Sequence, residues 1–141
     1  MPENGPIADM LEAYAAAVHA KDVDAFIALY GENVRVFDTW GWSYDRVDEW
    51  RKVVTDWFGS LGTESVVVEL KELESVFTED LSVAHAFVTF KGLSAEGEEL
   101  RTMDNRLTWA LQLGGDGRWK IVHEHTSAPA GFEDGKVILQ K

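Results

Sequence analysis

The chain contains no cysteine, which excludes disulfides, thiolate nucleophiles and cysteine-ligated metal sites. Basic residues are also scarce: 13 Lys and Arg stand against 25 Asp and Glu, for a formal net charge of -12 over 141 residues. No basic cluster is available to neutralise phosphates, and no apolar run approaches the roughly 20 residues of a transmembrane helix. Neither nucleic acid nor a membrane is therefore expected as a partner.

The start of the chain lacks the basic and then apolar pattern of a signal peptide. Together with the absence of cysteine, this predicts a cytoplasmic protein. The hydrophobic share of 45%, with 11% aromatic residues, is typical of a globular fold. At this length we expect one domain over residues 1–141.

Helical spacing is clearest at the start, where apolar side chains recur among alanines and predict a helix over residues 7–20. Asp24 is a candidate cap for a short second helix that reaches Tyr30, and Asp45 for a third helix. Between them, a short strand is predicted over residues 34–38, followed by an aromatic loop.

The remainder has the pattern of strands separated by short polar or glycine-rich turns. The predicted strands cover residues 64–77, 82–92, 100–113 and 118–126. Helices followed by a long antiparallel meander predict an α+β fold with the helices on one face of the sheet. The segment after residue 126 is either an extra edge strand or a loose tail.

Alternation divides each of the last two predicted strands into two faces. In the first strand, Arg106 and Thr108 oppose an apolar row of Leu107, Trp109 and Leu111. In the second strand, Glu124 and Thr126 oppose a row made of Trp119, Ile121, His123 and His125. Hydrophobicity alone places the apolar row of the first strand in the core and the polar residues in solvent.

Several side chains are candidates for chemistry. Asp38 ends an apolar strand beside Trp40, Trp42 and Tyr44, and a carboxylate among such rings is desolvated, which suits a general base. The alternative is that Asp38 only opens a turn. His123 and His125 share one side of a strand, but a metal site usually needs three or four ligands, so we expect no metal.

Other aromatic residues are candidates for the core as well as for a pocket. Tyr14 is a core residue first and a hydrogen-bond donor only if a pocket opens beside it. Trp50 and Trp57 have the helical spacing of core residues, and Trp57 is kept as a candidate contact for a ligand. Trp40 and Trp42 lie in the predicted loop and are more typical of a pocket entrance.

The order of elements and the stretch DGRWKIVHEHTS at residues 116–127 resemble the SnoaL-like part of the NTF2-like superfamily. The resemblance covers about residues 7–129 and leaves residues 130–141 as a C-terminal extension. This superfamily includes ketosteroid isomerase, polyketide cyclases, scytalone dehydratase and the association domain of calmodulin-dependent kinase II. It implies a cystatin-like α+β roll, in which a curved antiparallel sheet wraps the N-terminal helices into a cone around a pocket.

The resemblance also implies orientations and a homodimer. The sheet's outer face commonly contacts a second subunit in this superfamily, so Leu107, Trp109, Leu111, Trp119 and the two histidines are expected to face a dimer partner. The residues expected to face the cone are then Arg106, Thr108, Glu124 and Thr126.

The roles in ketosteroid isomerase carry over to individual residues by position. Asp38 corresponds to the base, Tyr14 to the oxyanion-binding tyrosine and Thr108 to a second, weaker donor. Arg106 and Glu124 are expected to orient a polar group of a small organic molecule. Trp40, Trp42, Tyr44, Trp57 and Thr126 are the remaining candidate contacts.

The resemblance therefore implies proton transfer next to a carbonyl, as in isomerases, cyclases or dehydratases, without a cofactor or a metal. The competing hypothesis is a non-catalytic module for ligand binding or assembly, like the kinase association domain. The same fold hosts both kinds of function.

Overall fold

The computed structural model describes residues 5–141. Three helices and six strands follow one another as α1 (Ile7–Ala20), α2 (Val23–Ile27), β1 (Tyr30–Asp38), β2 (Gly41–Asp45), α3 (Arg46–Ser60), β3 (Ser65–Phe77), β4 (Leu81–Leu93), β5 (Glu99–Leu113) and β6 (Trp119–Ser127). The predicted α+β class is confirmed. No helix within the described residues is long and apolar enough to cross a membrane.

The sheet has the strand order β2-β1-β6-β5-β4-β3. All neighbouring strands are antiparallel except β1 and β6, which run parallel. Helix α1 packs on β3, and α3 packs on β1 and β2. The helices thus lie on one face of the sheet, over the strands near its two edges.

The helix boundaries show where the local predictions were right and wrong. Helix α1 has the predicted bounds, and Lys21 ends it in a left-handed conformation with φ 54°. The cap of α2 is Asp22, whose carboxylate accepts from the Ala25 N–H, rather than Asp24. The side chain of Asp45 precedes α3 but makes no capping bond, because it binds Arg35 and Ser43 instead.

Two secondary-structure predictions were wrong in and beside β1. Tyr30 belongs to β1 rather than to a helix, since it pairs with Ile121 and the Ile121 N–H donates to the Leu29 carbonyl. The segment predicted as an aromatic loop contains strand β2, which reverses direction after β1 and pairs with it antiparallel. Both errors have the same cause: pairing with distant or adjacent strands outweighs the short local patterns.

The orientation of β5 is opposite to the one that the family resemblance implied. Leu107, Trp109 and Leu111 are buried under the helices, whereas Arg106 and Thr108 are exposed on the outer face. Hydrophobicity alone gave the right orientation for this strand. The apolar row offered as a dimer contact is therefore part of the core of one chain, and the homodimer stays a prediction without that support.

An irregularity in β6 explains why Glu124 and Thr126 nevertheless face inward. Ala110 pairs with His123 and Leu111 with Ile121, so Val122 is an extra residue in β6. This bulge shifts the alternation by one residue. As a result Ile121 lies in the core, and the polar residues Glu124 and Thr126 point to the same side further along.

The face assignment of β5 makes a direct prediction about stability. We expect Leu107→Ala to lower the free energy of unfolding by about 2–5 kcal/mol, because it leaves a cavity in the core. The adjacent Thr108→Ala should change it by less than about 1 kcal/mol, since that side chain is exposed. Urea denaturation of both variants measures the difference. A larger loss for Thr108→Ala than for Leu107→Ala would restore the orientation implied by the family.

Candidate active site

A cavity of about 500 Å³ lies between the helices and the inner face of the sheet. Its walls are mainly aromatic and aliphatic, and a few polar side chains face it from both the helices and the sheet. The aromatic lining consists of Trp40, Tyr44, Trp50, Trp57 and Phe90, and the polar groups include Tyr14, Asp38, Asn105, Glu124 and Thr126. Such a cavity has the size and composition of a small-molecule site.

Glu124 is the most deeply buried charged residue of the cavity, with 2% of its surface exposed. Its Oε1 accepts hydrogen bonds from the Tyr30 hydroxyl at 2.6 Å and from the Trp109 indole N–H at 2.8 Å. Burial raises the pKa of Glu124 to about 7; the two hydrogen bonds oppose that rise, and the charge of Asp38 adds to it. The carboxyl group is thus protonated in part of the population at neutral pH.

Asp38 lies at the end of β1, where it faces the cavity and a second groove outside it. Its carboxylate accepts from the Thr126 hydroxyl at 3.2 Å and from the Trp40 N–H at 3.3 Å. The Thr126 oxygen in turn accepts from the Thr39 N–H at 3.1 Å. These bonds hold the carboxylate at the cavity surface.

A second arm of the same network ends at Asn105. The Thr39 hydroxyl donates to Asn105 Oδ1 at 2.6 Å, which fixes the orientation of the amide. Within residues 5–141 no protein acceptor is found for Asn105 Nδ2, and the residue lines the cavity. Its amide NH₂ is therefore a donor available to a bound molecule.

Tyr14 faces the cavity from α1, in edge contact with the ring of Trp109 at 5.2 Å between centroids. Burial raises the pKa of Tyr14 well above 10.0, and the nearby charges of Glu124 and Asp38 raise it further. Its hydroxyl makes no hydrogen bond to other described residues. The phenol is therefore neutral and available to donate a hydrogen bond to a ligand.

The structure brings most of the predicted site residues to this one cavity. Those that line it are Tyr14, Asp38, Trp40, Tyr44, Trp57, Glu124 and Thr126. Three predicted residues do not reach it. Thr108 and Arg106 are on the outer face of β5, where Arg106 donates to the Ser127 hydroxyl, and Trp42 is 97% exposed on β2.

The two histidines of β6 also lie outside the cavity, on the outer face of the sheet. Both rings make T-shaped contacts with Phe37, with their centroids 5.0 and 5.4 Å from the centroid of its ring. His123 Nδ1 lies 2.7 Å from the Arg35 carbonyl oxygen. The pair therefore packs around a phenylalanine.

Sequence reasoning missed Asn105, Phe90 and Met103 as cavity residues, and placed Trp50 only in the core. Asn105 carried a usable signal, because it shares the alternation of Leu107 and Trp109 and is thus a polar residue in a buried row. Trp50 belongs to the hydrophobic core and also lines the cavity. Its buried N–H lies near the Tyr30 oxygen without hydrogen-bond geometry, so it has no partner among the described residues.

Helices packed on one face of a six-stranded mixed sheet, around an aromatic-walled cavity, define the chain as an NTF2-like domain. The SnoaL-like domain model matches residues 7–131. The chain therefore belongs to the SnoaL-like domain family. Among curated proteins, none matches the sequence.

Solved structures support the same assignment. An NTF2-like protein of unknown function from Pseudomonas putida KT2440 superposes with a TM-score of 0.82 at 25% identity, over 96% of this chain and 92% of that one. A ketosteroid isomerase-like protein from Erwinia carotovora atroseptica SCRI1043 gives 0.67 at 20% identity, over 86% and 92%.

A third structure, from Xanthomonas campestris, is of a protein proposed to be a calcium/calmodulin-dependent protein kinase II association domain. It gives a TM-score of 0.71 at 17% identity, over 92% of this chain and 91% of that one. At such identities, the Erwinia and Xanthomonas proteins show a shared fold and nothing further about activity.

The raised pKa of Glu124 predicts how stability depends on pH. Between about pH 4.5 and 7 the folded protein holds a proton on Glu124 that the unfolded chain releases, so this group makes the free energy of unfolding fall as pH rises. The loss amounts to roughly 3 kcal/mol. Glu124→Gln keeps an acceptor for Tyr30 and Trp109 but does not titrate.

Urea denaturation at pH 5 and at pH 8 measures this contribution. The difference between the two pH values should be smaller in Glu124→Gln than in the wild type by about that amount, and the variant should be the more stable protein at pH 8. An identical pH dependence of the two proteins would show that Glu124 has an ordinary pKa in the folded state.

Proposed function

We propose that the cavity binds a small organic molecule with an apolar body and one carbonyl group, and that Asp38 transfers a proton at the carbon next to that carbonyl. The observation that carries this proposal is the pairing, in one apolar cavity, of a buried carboxyl group whose pKa is raised to about 7 with a carboxylate that accepts hydrogen bonds. Two carboxyl groups in such different environments are suited to acid and base roles.

The buried donors determine where the carbonyl oxygen binds. Both hydrogen bonds to Glu124 end on Oε1, so a proton on Oε2 is free to be donated into the cavity. The Tyr14 hydroxyl is a second donor to the same region, because both residues line the cavity and the Tyr14 ring contacts Trp109, whose indole N–H binds Glu124. Together they stabilise the negative charge that develops on the oxygen when a neighbouring carbon loses its proton.

Asp38 is the base in this scheme. Thr126 and the Trp40 N–H hold its carboxylate at the cavity wall, and the proton that it removes is returned to another carbon or lost with a leaving hydroxyl. These steps describe isomerase and dehydratase reactions; in a cyclase the same proton removal is followed by attack of the carbanion on a second carbonyl carbon, and the oxygen of that carbonyl takes up the proton. Compared with the expectation from sequence, Glu124 replaces Thr108 as the second donor and Arg106 has no part.

The aromatic walls favour a flat ligand. Trp50 stacks on Tyr44 with centroids 5.6 Å apart, and Trp57 and Phe90 make a T-shaped contact with centroids 6.2 Å apart. These rings give a broad apolar surface with few polar groups, against which a planar ring system packs over its whole face. We therefore infer that the substrate contains a planar fused-ring system.

A non-catalytic role remains the second candidate, and one observation favours it. Glu124 accepts from Tyr30 on β1 and Trp109 on β5 while it lies on β6, so it connects three strands whether or not a ligand binds. A protein that used Glu124 only in this way would bind a molecule in the cavity without transferring a proton.

Exchange of the α-protons of 2-tetralone with D₂O, followed by proton NMR, distinguishes these two functions. We expect the wild type to accelerate the exchange, and Asp38→Asn to reduce the acceleration at least about 100-fold, because an amide does not accept the proton. Asp56→Asn on the exposed side of α3 is the matched control and should leave the rate unchanged.

Full activity of Asp38→Asn would remove Asp38 from the role of base. Binding of 2-tetralone by the wild type without any accelerated exchange would instead favour the non-catalytic role.

A further inference from the structure

The matched family domain ends at residue 131, but the chain continues to Lys141 and contributes to the cavity again. Residues 128–137 form a loop after β6 that is closed by an isolated β-bridge between Ala130 and Val137. The next four residues, 138–141, run beside β5 and are called the strap. One of them, Leu139, lines the cavity.

The strap occupies the part of β5 that β6 leaves open. Strand β6 pairs with β5 only as far as Arg106, which faces Ser127. Beyond that point the Asp104 N–H donates to the Leu139 carbonyl at 2.6 Å, and the Gln140 side-chain amide donates to the Thr102 carbonyl at 2.9 Å. The strap therefore lies beside β5 where β6 has ended, held by one backbone hydrogen bond and by side-chain contacts.

Contacts at the last residue fix the strap against the sheet. Asp104 accepts from the Lys141 N–H at 2.8 Å, and the Lys141 ammonium lies 3.9 Å from the centre of the Phe87 ring. The same ammonium pairs with Glu72 at 3.1 Å. Glu72 reaches it from an irregularity in β3, where its backbone is left-handed with φ 55°.

Leu139 lies far along β5 from the buried carboxyl group of Glu124. Glu124 is opposite Trp109 on β5, whereas the strap meets β5 at Asp104, five residues away. Five residues of a strand span roughly 17 Å. Only the far end of a long ligand whose carbonyl binds beside Glu124 can therefore reach Leu139.

The remaining walls at that end belong to the sheet, and their positions are fixed by strand pairing. Met103 on β5 is paired with Phe90 on β4, and both line the cavity. The strap is attached through few backbone hydrogen bonds, and Leu139 itself is half-buried. A change of side chain at Leu139 thus alters the length of the cavity without disturbing the sheet.

We propose that the strap determines the length of the molecule that the cavity accepts, with Leu139 as the residue in contact with the ligand's far end. This inference rests on the proposed function, in that it assumes a small organic ligand in the cavity. It makes the C-terminal extension a specificity-determining part of the site.

Two neutral fluorescent probes of different length test the proposal: 1-naphthylamine and the longer N-phenyl-1-naphthylamine. The measured quantity is the ratio of their dissociation constants. Leu139→Ala should shift this ratio in favour of the longer probe by about threefold to tenfold, and Leu139→Trp should shift it toward the shorter one. Phe132→Ala, a fully exposed residue of the same extension, is the control and should leave the ratio unchanged.

A further variant tests the position of the strap without changing the Leu139 side chain. Glu72→Gln removes the ion pair with Lys141, so the strap is held less firmly while the Leu139 side chain is unchanged. This variant should shift the ratio in the same direction as Leu139→Ala but by less. Thermal unfolding of each variant establishes that it is folded.

The outcomes are distinct. If folded Leu139→Ala and Leu139→Trp both bind the probes with the wild-type ratio, the strap does not determine length, while ligand binding in the cavity stands. If the wild type binds neither probe but still accelerates the exchange of 2-tetralone, the strap proposal fails and the proposed function stands; if it does neither, both are overturned.

Discussion

The buried carboxyl group of Glu124 is the constraint on which both the sheet and the cavity depend. It lies on β6 and accepts hydrogen bonds from Tyr30 on β1 and Trp109 on β5, so that three adjacent strands meet at one oxygen. Burial of a carboxylate is expensive, and the raised pKa of Glu124 reduces that cost by keeping the group protonated in part of the population at neutral pH. The protonated carboxyl group therefore contributes to the stability of the fold as well as to the chemistry of the cavity.

The bulge in β6 follows from the same constraint. Strict alternation from Ile121 would direct Glu124 outward and leave the indole N–H of Trp109 without an acceptor in the core. The extra residue, Val122, turns Glu124 and Thr126 inward while Ile121 keeps its own place in the core. Thr126 then reaches Asp38, so one irregularity in one strand positions both carboxyl groups of the cavity.

The sequence contained enough to predict the helices, the four long strands and the family. It also predicted that Asp38 and Tyr14 would face one pocket, if the residues were compared with those of the family. The orientation of β5 was available from hydrophobicity alone, and the error came from preferring the family expectation to the apolar row Leu107, Trp109 and Leu111. Burial of large apolar side chains was the stronger physical argument.

Other features lay outside local reasoning. The bulge at Val122 depends on the register between β5 and β6, which no short pattern reports. The position of residues 138–141 beside β5 depends on where β6 ends, and so composition and periodicity could not predict that Leu139 contributes to the cavity. Strand β2 is short and rich in tryptophan, and its pairing with β1 rather than its own pattern makes it a strand.

The most direct measurement of the central claim is a carbon-13 NMR titration of the side-chain carboxyl carbons, with Glu124 assigned by comparison with Glu124→Gln. The account predicts that the Glu124 resonance titrates with a midpoint near the pKa of about 7 given by its burial. A midpoint at the ordinary glutamate value of about 4.5 would mean that the carboxyl group is ionised at neutral pH. The cavity would then lack its protonated donor, and both the structural and the chemical role assigned to Glu124 would be contradicted.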